Sequence, residues 1–314
     1  MNEKVVIALG GNALTINGKL ADARTQLNII DKTADEIVDI IQQGYKVVMT
    51  HGNGPQVGGI AVQNEASADV VPAMPFDVCG AMSQGMLGYH MVQGLQRAAR
   101  IKGSKISPVA VVTQVVVDPE DPKFKNPSKP IGSFFTEEEA KKLAEEKGYT
   151  MKEDAGRGWR RVVASPLPKE IVELKAIKDL MDAGHAVIAV GGGGVPVIRD
   201  KDGDLDGVAA VIDKDLASER LAQDLDADIF MMLTAVEKCC INFNKPDQKA
   251  IDHMTPDEAR EYIAQGQFAA GSMLPKVEAA IRFVEARPGR RCYITTPEKS
   301  VDALNGKAGT LIEC

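Results

Sequence analysis

Val5-Val6-Ile7-Ala8-Leu9-Gly10-Gly11-Asn12-Ala13-Leu14 is an apolar, β-branched run that stops at two glycines and an asparagine. Its length suits a buried strand rather than a helix. A glycine pair at its end lets the backbone turn sharply and bring several N–H groups close to a ligand with no Cβ in the way. Such a loop is a bed for phosphate. The device recurs twice: residues 45–50 run into His51-Gly52-Asn53-Gly54-Pro55, and residues 186–190 run into Gly191-Gly192-Gly193-Gly194. In an open α/β sheet, loops at the carboxyl ends of strands form the ligand crevice. Three of them in one chain predict a site.

The remaining pattern supports a mostly parallel sheet covered on both faces, because strands alternate with helices. After the first loop, Leu27, Ile30, Ala34, Ile37, Val38 and Ile41 keep a helical period, and Gly44 ends that helix. A long helical segment over 77–102 carries Gly80, Gly85, Gly88 and Gly94, which calls for either close packing on the sheet or a tight homodimer face. Residues 109–117 read as one buried strand. Residues 118–165 change character, with Asp, Pro and Lys first and then a charged helix over 137–147. This reads as a small inserted subdomain in an otherwise single domain over 1–314. From Ile171 the alternation resumes with a helix to Asp182, a strand over 186–190, an Asp/Gly hairpin and a helix over 213–225. A strand over 229–233, helices near 256–265 and 274–287, and strands near 291–295 and 310–313 complete it.

The chain has 314 residues and a formal net charge of -7, which argues against nucleic acid and against an anionic membrane surface as partners. Five cysteines without CxxC spacing suggest neither a disulfide framework nor a zinc site. No signal peptide and no apolar run of about 20 residues is present. The expectation is a reduced, cytoplasmic enzyme.

No GxxxxGK[ST] and no GxGxxG opening a helix occurs, so neither the P-loop nor the dinucleotide fingerprint applies. Phosphate still needs cations. Lys214 opens a helix that Asp213 can cap, and a helix N-terminus bearing a lysine is a strong anion site. Asp215 beside it can direct lysine side chains or complete a Mg²⁺ shell through water. Lys276 follows Pro275 at another helix start, and Lys129 lies in the stiff Pro127-Ser128-Lys129-Pro130 loop. Asp202-Gly203-Asp204-Leu205-Asp206-Gly207 has calcium-loop spacing, but Val195-Pro196-Val197-Ile198 upstream reads as strand, so an acidic hairpin turn is expected. Four scattered histidines and the lack of a GxSxG elbow give nucleophilic or hydrolytic chemistry little support.

Residues 8–14, Thr50-His51-Gly52-Asn53-Gly54-Pro55-Gln56-Val57-Gly58, Gly80-Ala81-Met82-Ser83-Gln84-Gly85, Lys129-Pro130-Ile131-Gly132, residues 191–196, Val211-Ile212-Asp213-Lys214-Asp215 and Gly271-Ser272-Met273-Leu274-Pro275-Lys276 resemble the carbamate kinase motifs, in order. The resemblance covers essentially the whole chain. It implies the amino-acid kinase fold, a three-layer α/β/α sandwich with a mostly parallel central sheet, in a homodimer. It also implies reversible phosphoryl transfer between ATP with carbamate and ADP with carbamoyl phosphate, with Mg²⁺ on the nucleotide and ATP formed at the end of arginine breakdown.

By the same resemblance, Gly10, Gly11 and Asn12 cradle the transferred phosphoryl group, and Gly52, Asn53 and Gly54 face the carbamoyl side. Lys129, Lys214 and Lys276 neutralise it, and Asp215 holds Lys214 and Lys276. Gly191, Gly192, Ala235, Val236, Lys238, Cys240, Met273 and Lys276 fall to the nucleotide. The wider superfamily places a lysine where this chain has Ala8, and Lys129 supplies that charge instead. Two departures stand out. Ser133-Phe134-Phe135 replaces the usual Pro-Phe-Tyr after Gly132, and Cys239-Cys240 replaces Val-Tyr, removing an aromatic ring beside adenine and placing a thiol there. A kinase of another small acid or phosphate and a non-catalytic nucleotide sensor are the alternatives. Retention of Lys129 and of Thr50-His51-Gly52-Asn53-Gly54-Pro55 argues against the first, and the presence of all three lysines against the second.

Overall fold

The computed structural model describes residues 3–10, 22–154, 156 and 158–314. In chain order the elements begin with β1 (Lys4–Leu9), α1 (Ala23–Gln42), β2 (Lys46–His51), α2 (Gly54–Ala66), α3 (Phe76–Lys102), β3 (Pro108–Ala110) and β4 (Gln114–Val117). Then come β5 (Lys129–Phe135), α4 (Glu137–Lys147), β6 (Met151–Glu153), β7 (Trp159–Val163), β8 (Pro168–Ile171) and α5 (Leu174–Asp182). The middle of the chain continues with β9 (Ala186–Ile188), β10 (Val195–Arg199), β11 (Leu205–Gly207), α6 (Lys214–Asp224) and β12 (Ile229–Leu233). Last are β13 (Cys240–Ile241), β14 (Lys249–Ala250), β15 (His253–Met254), α7 (Pro256–Ala264), α8 (Met273–Glu285), β16 (Arg291–Thr295), α9 (Ser300–Leu304) and β17 (Thr310–Ile312).

An eight-stranded sheet in the order β15-β17-β16-β12-β1-β2-β9-β3 forms the middle layer, and only β16 and β17 pair antiparallel. Its central strands β1, β2 and β12 are buried on both faces, as parallel strands under helical crossovers must be. Val5, Ile7 and Leu9 of β1 join one core with Ile30 and Ile37 of α1, Leu87 and Leu95 of α3 and Leu304 of α9. Val6 and Ala8, pointing the other way, join a second core with Ile177 of α5, Leu221 of α6 and Phe283 of α8. That two-residue alternation makes three layers from one strand.

Helix starts are capped as their residues dictate. Asp22 accepts from the Thr25 N–H, Thr136 and Glu139 form a reciprocal box on α4, and Asp213 accepts from the Asp215 N–H. Each such cap contributes about 1 kcal/mol.

Several sequence expectations need correction. The single strand over 109–117 is two strands in different sheets, β3 at the edge of the main sheet and β4 in a four-stranded sheet ordered β11-β10-β4-β8. The chain breaks at Thr113, whose hydroxyl donates to the Val111 carbonyl and whose N–H is taken by Gln84 Oε1. The helix expected from Ile171 starts at Leu174, because 168–171 pair with β4 as β8. The Asp/Gly stretch, by contrast, is the acidic hairpin turn that the sequence predicts, between β10 and β11, with Asp200 Oδ1 accepting from the N–H groups of Asp202 and Asp204.

Two of the glycines in α3 are packing glycines. A Cβ on Gly88 would lie 2.7 Å from the Ala110 Cβ, and one on Gly94 3.0 Å from Ile30 Cγ2. On Gly80 and Gly85 it would meet nothing within 4 Å among the described residues. Within 118–165, β5, β7 and β6 form their own three-stranded antiparallel sheet.

Candidate active site

Adjacent strands β1 and β2 run in register, with Leu9 opposite His51, so their terminal glycines emerge side by side. Gly52 donates its N–H to the Leu9 carbonyl (3.1 Å), and Gly10 donates to the Leu233 carbonyl at the end of β12 (2.9 Å). A Cβ on Gly10 would lie 2.9 Å from that oxygen, so glycine is required for the close approach of the strands. Gly11 and Asn12 lie outside the described residues.

A cavity of about 650 Å³ opens at this strand end, and Gly10, Lys129, Lys214, Asp215 and Lys276 all line it. Asp215 is its organising group. The carboxylate is 4 % exposed, with Lys214 Nζ 2.5 Å from one oxygen and Lys276 Nζ 2.7 Å from the other. Burial alone would raise the Asp215 pKa, but the two ammonium groups overcome it and hold the carboxyl well below its ordinary range. Burial lowers the Lys214 pKa, opposed by Asp215 and reinforced by Lys276. Two cations on one anion leave a net positive charge at the cavity wall. That is an anion receptor.

Lys129, the first residue of β5, reaches in from the three-stranded sheet. Its ammonium donates to Asp213 Oδ2 at 2.7 Å, while Asp213 Oδ1 caps α6. Asp213 therefore links β5 to the helix start that carries Lys214, a role beyond the capping that the sequence suggests. Beneath, Ser218 Oγ donates to the Lys214 carbonyl, and Thr50 and Ser218 share a hydroxyl hydrogen bond at 2.5 Å, tying α6 to β2.

The second and third glycine loops pack against each other, and the structure locks them from behind. Asn53 donates its amide to Ser83 Oγ (2.7 Å), and Gln84 donates to the Thr113 and Gly191 carbonyls. The Gly80–Gly85 motif thus supports both loops, a role its sequence did not reveal. A Cβ on Gly191 would lie 2.5 Å from His51 Nε2, and one on Gly192 2.2 Å from Asn53 Nδ2. Gly191 and Gly192 are accordingly buried under the 51–53 loop and are absent from the cavity lining, as are Gly52, Asn53 and Gly54. His51 is buried, and burial first, with Lys214 adding to it, moves its pKa down to about 4 against the hydrogen bond to the Gly52 carbonyl. The ring is neutral at pH 7 and packs between the loops.

Ala235, Val236, Lys238, Cys240 and Met273 line the outer part of the cavity. Cys239 is buried, its sulfur 3.5 Å from Met273 Sδ and its thiol pushed up to about 12 by desolvation. Cys240 is half-buried and faces the cavity. Phe243 stands in the same wall, 54 % exposed, between Asn242 and Asn244 at φ 53° and 61°. Sequence reasoning counted a lost ring at position 240 and overlooked this one; the Asn-Phe-Asn turn was the available signal.

The model of the amino acid kinase family matches residues 3–296. The carbamate kinase of Clostridium perfringens is 52% identical over 312 residues, covering 98% of this chain and 99% of that one. A carbamate kinase from Giardia lamblia bound to AMP-PNP superposes with TM-score 0.92 at 49% identity, covering 99% and 98% of the two chains. Another structure of the Giardia enzyme, at TM-score 0.90 and 48% identity, covering 99% of each chain, is thiocarbamoylated by disulfiram on a cysteine.

Proposed function

The chain belongs to the amino acid kinase family and is an ATP-dependent phosphotransferase, and we propose that it moves a phosphoryl group reversibly between carbamoyl phosphate with ADP and carbamate with ATP. The observation that carries this reading is the set of three lysines gathered on one cavity around Asp215 and Asp213.

In the ATP-forming direction a terminal ADP oxygen forms a bond to the phosphorus of carbamoyl phosphate as the bond to the carbamate oxygen breaks. Carbamate leaves as an anion, so no proton moves and no general base is needed. Such chemistry is mainly positioning and charge stabilisation. Lys214 and Lys276, fixed by Asp215, meet the charge on the transferred group, and Lys129 adds a third cation from the insertion. Gly10, whose own N–H is held by the Leu233 carbonyl, would fix the start of the loop, and Gly11 and Asn12 would supply backbone N–H groups. Gly52, Asn53 and Gly54 would bound the carbamoyl side, while Ala235, Val236, Lys238, Cys240 and Met273 would hold the nucleotide.

Mg²⁺ fits as a passenger of the nucleotide. Asp215 has both oxygens on lysines, and Asp213 has one on Lys129 and one on a backbone N–H. Phosphate oxygens would hold the ion, which when bound neutralises charge on the terminal phosphates. Among the described residues no helix is long and apolar enough to cross a membrane. A cytoplasmic role forming ATP at the end of arginine breakdown is consistent with this chemistry. A homodimer, with α3 at the interface, would account for Gly80 and Gly85, where a Cβ meets nothing within 4 Å among the described residues. Light scattering of the purified chain reads the dimer.

The substrate is tested by offering ATP with carbamate, aspartate, glutamate or N-acetylglutamate. ADP release with carbamate alone is expected; faster release with an amino acid would replace this reading by another kinase of the family.

A further inference from the structure

Three elements of the insertion converge on one carboxylate of the body. Glu65, at the end of α2, accepts from Lys147 Nζ at the end of α4 (2.6 Å) and from the Tyr149 hydroxyl beside β6. Arg161 of β7 reaches the oxygen that Tyr149 uses, at 3.5 Å. The Arg161 guanidinium also sits over the Tyr149 ring, 3.7 Å from its centroid, and over Phe76 at 5.5 Å. An arginine between two rings and a carboxylate has little freedom left.

About two helical turns earlier, the same helix makes a second contact. A Cβ on Gly58 would lie 2.2 Å from the Gly132 Cα, and the Gly132 carbonyl accepts from Arg160 Nη2 at 3.0 Å. Helix α2 therefore grips the insertion at two points, one on β5 and one on α4, β6 and β7 together. Its first residue is Gly54, directly after the Gly52-Asn53 loop, and the first residue of β5 is Lys129. The helix is thus a strut between the second glycine loop and the strand that delivers the third lysine.

We propose that Glu65 is a positioning residue for the transfer reaction: by gathering Lys147, Tyr149 and Arg161 it holds the insertion against α2, and so holds Lys129 over the phosphoryl group. This rests on the phosphoryl-transfer reading above. Glu65 contacts no substrate and acts through β5.

The test uses the full chain with Glu65→Ala and Glu65→Gln, the second keeping the hydrogen-bond acceptor but not the charge. ATP formation, ADP affinity by calorimetry and trypsin nicking within residues 118–165 are read together; Lys125, Lys141, Lys142 and Lys152 are exposed there. Glu65→Ala raises the KM for carbamoyl phosphate on the order of tenfold, leaves ADP affinity unchanged and speeds nicking, and Glu65→Gln lies between. An unchanged KM in a folded variant overturns the proposal, and so does a parallel loss of ADP affinity, which marks a general structural role. If the wild-type chain forms no ATP, the transfer reading fails by itself, and equal nicking of variant and wild type then overturns the clasp.

Discussion

Gly58 of α2 and Gly132 of β5 meet backbone to backbone, so close that any side chain at position 58 would overlap the Gly132 main chain. Gly132 itself sits at φ 68°, a conformation glycine adopts without strain. The pair seats the insertion on the body of the protein. Gly58→Ala is predicted to cost about 1–3 kcal/mol by overpacking and to displace Lys129, lowering turnover with carbamoyl phosphate. Urea titration beside the ATP-forming assay checks both effects; wild-type values in both would show that the contact is slack.

Asp215 neutralises two buried ammonium groups, so Asp215→Asn leaves Lys214 and Lys276 facing each other. With Asp215 gone, the burial that already lowers the Lys214 pKa is unopposed by its main counter-charge. Turnover is predicted to fall by about a hundredfold or more, and the alkaline limb of the pH–rate profile moves to lower pH. A profile unchanged in shape would place the charge balance elsewhere.

His51 gives a stability prediction with a definite sign. Its imidazole titrates at about 4 in the fold and at the ordinary 6.5 when the chain is unfolded. Between those values the unfolded state binds more protons, so stability is lost as pH falls from 6.5 toward 4. The loss amounts to about 3 kcal/mol for a fully buried ring. Denaturation midpoints of wild type and His51→Gln across that range check it: the wild-type dependence is steeper, and parallel curves would count against the buried neutral ring.

The two neighbouring thiols are expected to differ. Cys239 is fully buried and its pKa lies near 12, so it stays protonated and inert. Cys240 opens onto the cavity that the nucleotide would fill. Thiol reagents are predicted to modify Cys240 and block activity, ADP to protect against them, and Cys240→Ala to be resistant. Peptide mapping that found Cys239 modified first would reverse the assignment.

Much of this was readable in the residues, for reasons that differ by element. Residues 229–233 form the expected strand because an apolar run of strand length, bounded by Asp228 and Thr234, is too short for a buried helix. The helix over 137–147 was legible as a charged run, and the structure adds the Thr136–Glu139 capping box at its start. Helix α2 was missed because Gly58 and Gly59 weaken its local signal, and the pressure for Gly58 comes from Gly132, seventy-four positions away. The break at Thr113 depends likewise on Gln84, across the fold. At the site, the three lysines were found from their places at helix starts and stiff loops. Asp213 as the partner of Lys129 was not, since 84 residues separate them and only the folded insertion brings them to 2.7 Å. Local pattern reveals elements and anion sites, whereas pairings across an insertion need the fold.

The central claim is that three lysines from separate elements act on one phosphoryl group. ATP formation from carbamoyl phosphate, ADP and Mg²⁺ by the purified chain, run beside Lys129→Ala, tests it most directly. Steady ATP synthesis by the wild type, lost by at least about a hundredfold in a folded variant that still binds ADP, is the predicted result. ATP formation at the wild-type rate in Lys129→Ala, or none in the wild-type chain, would contradict it.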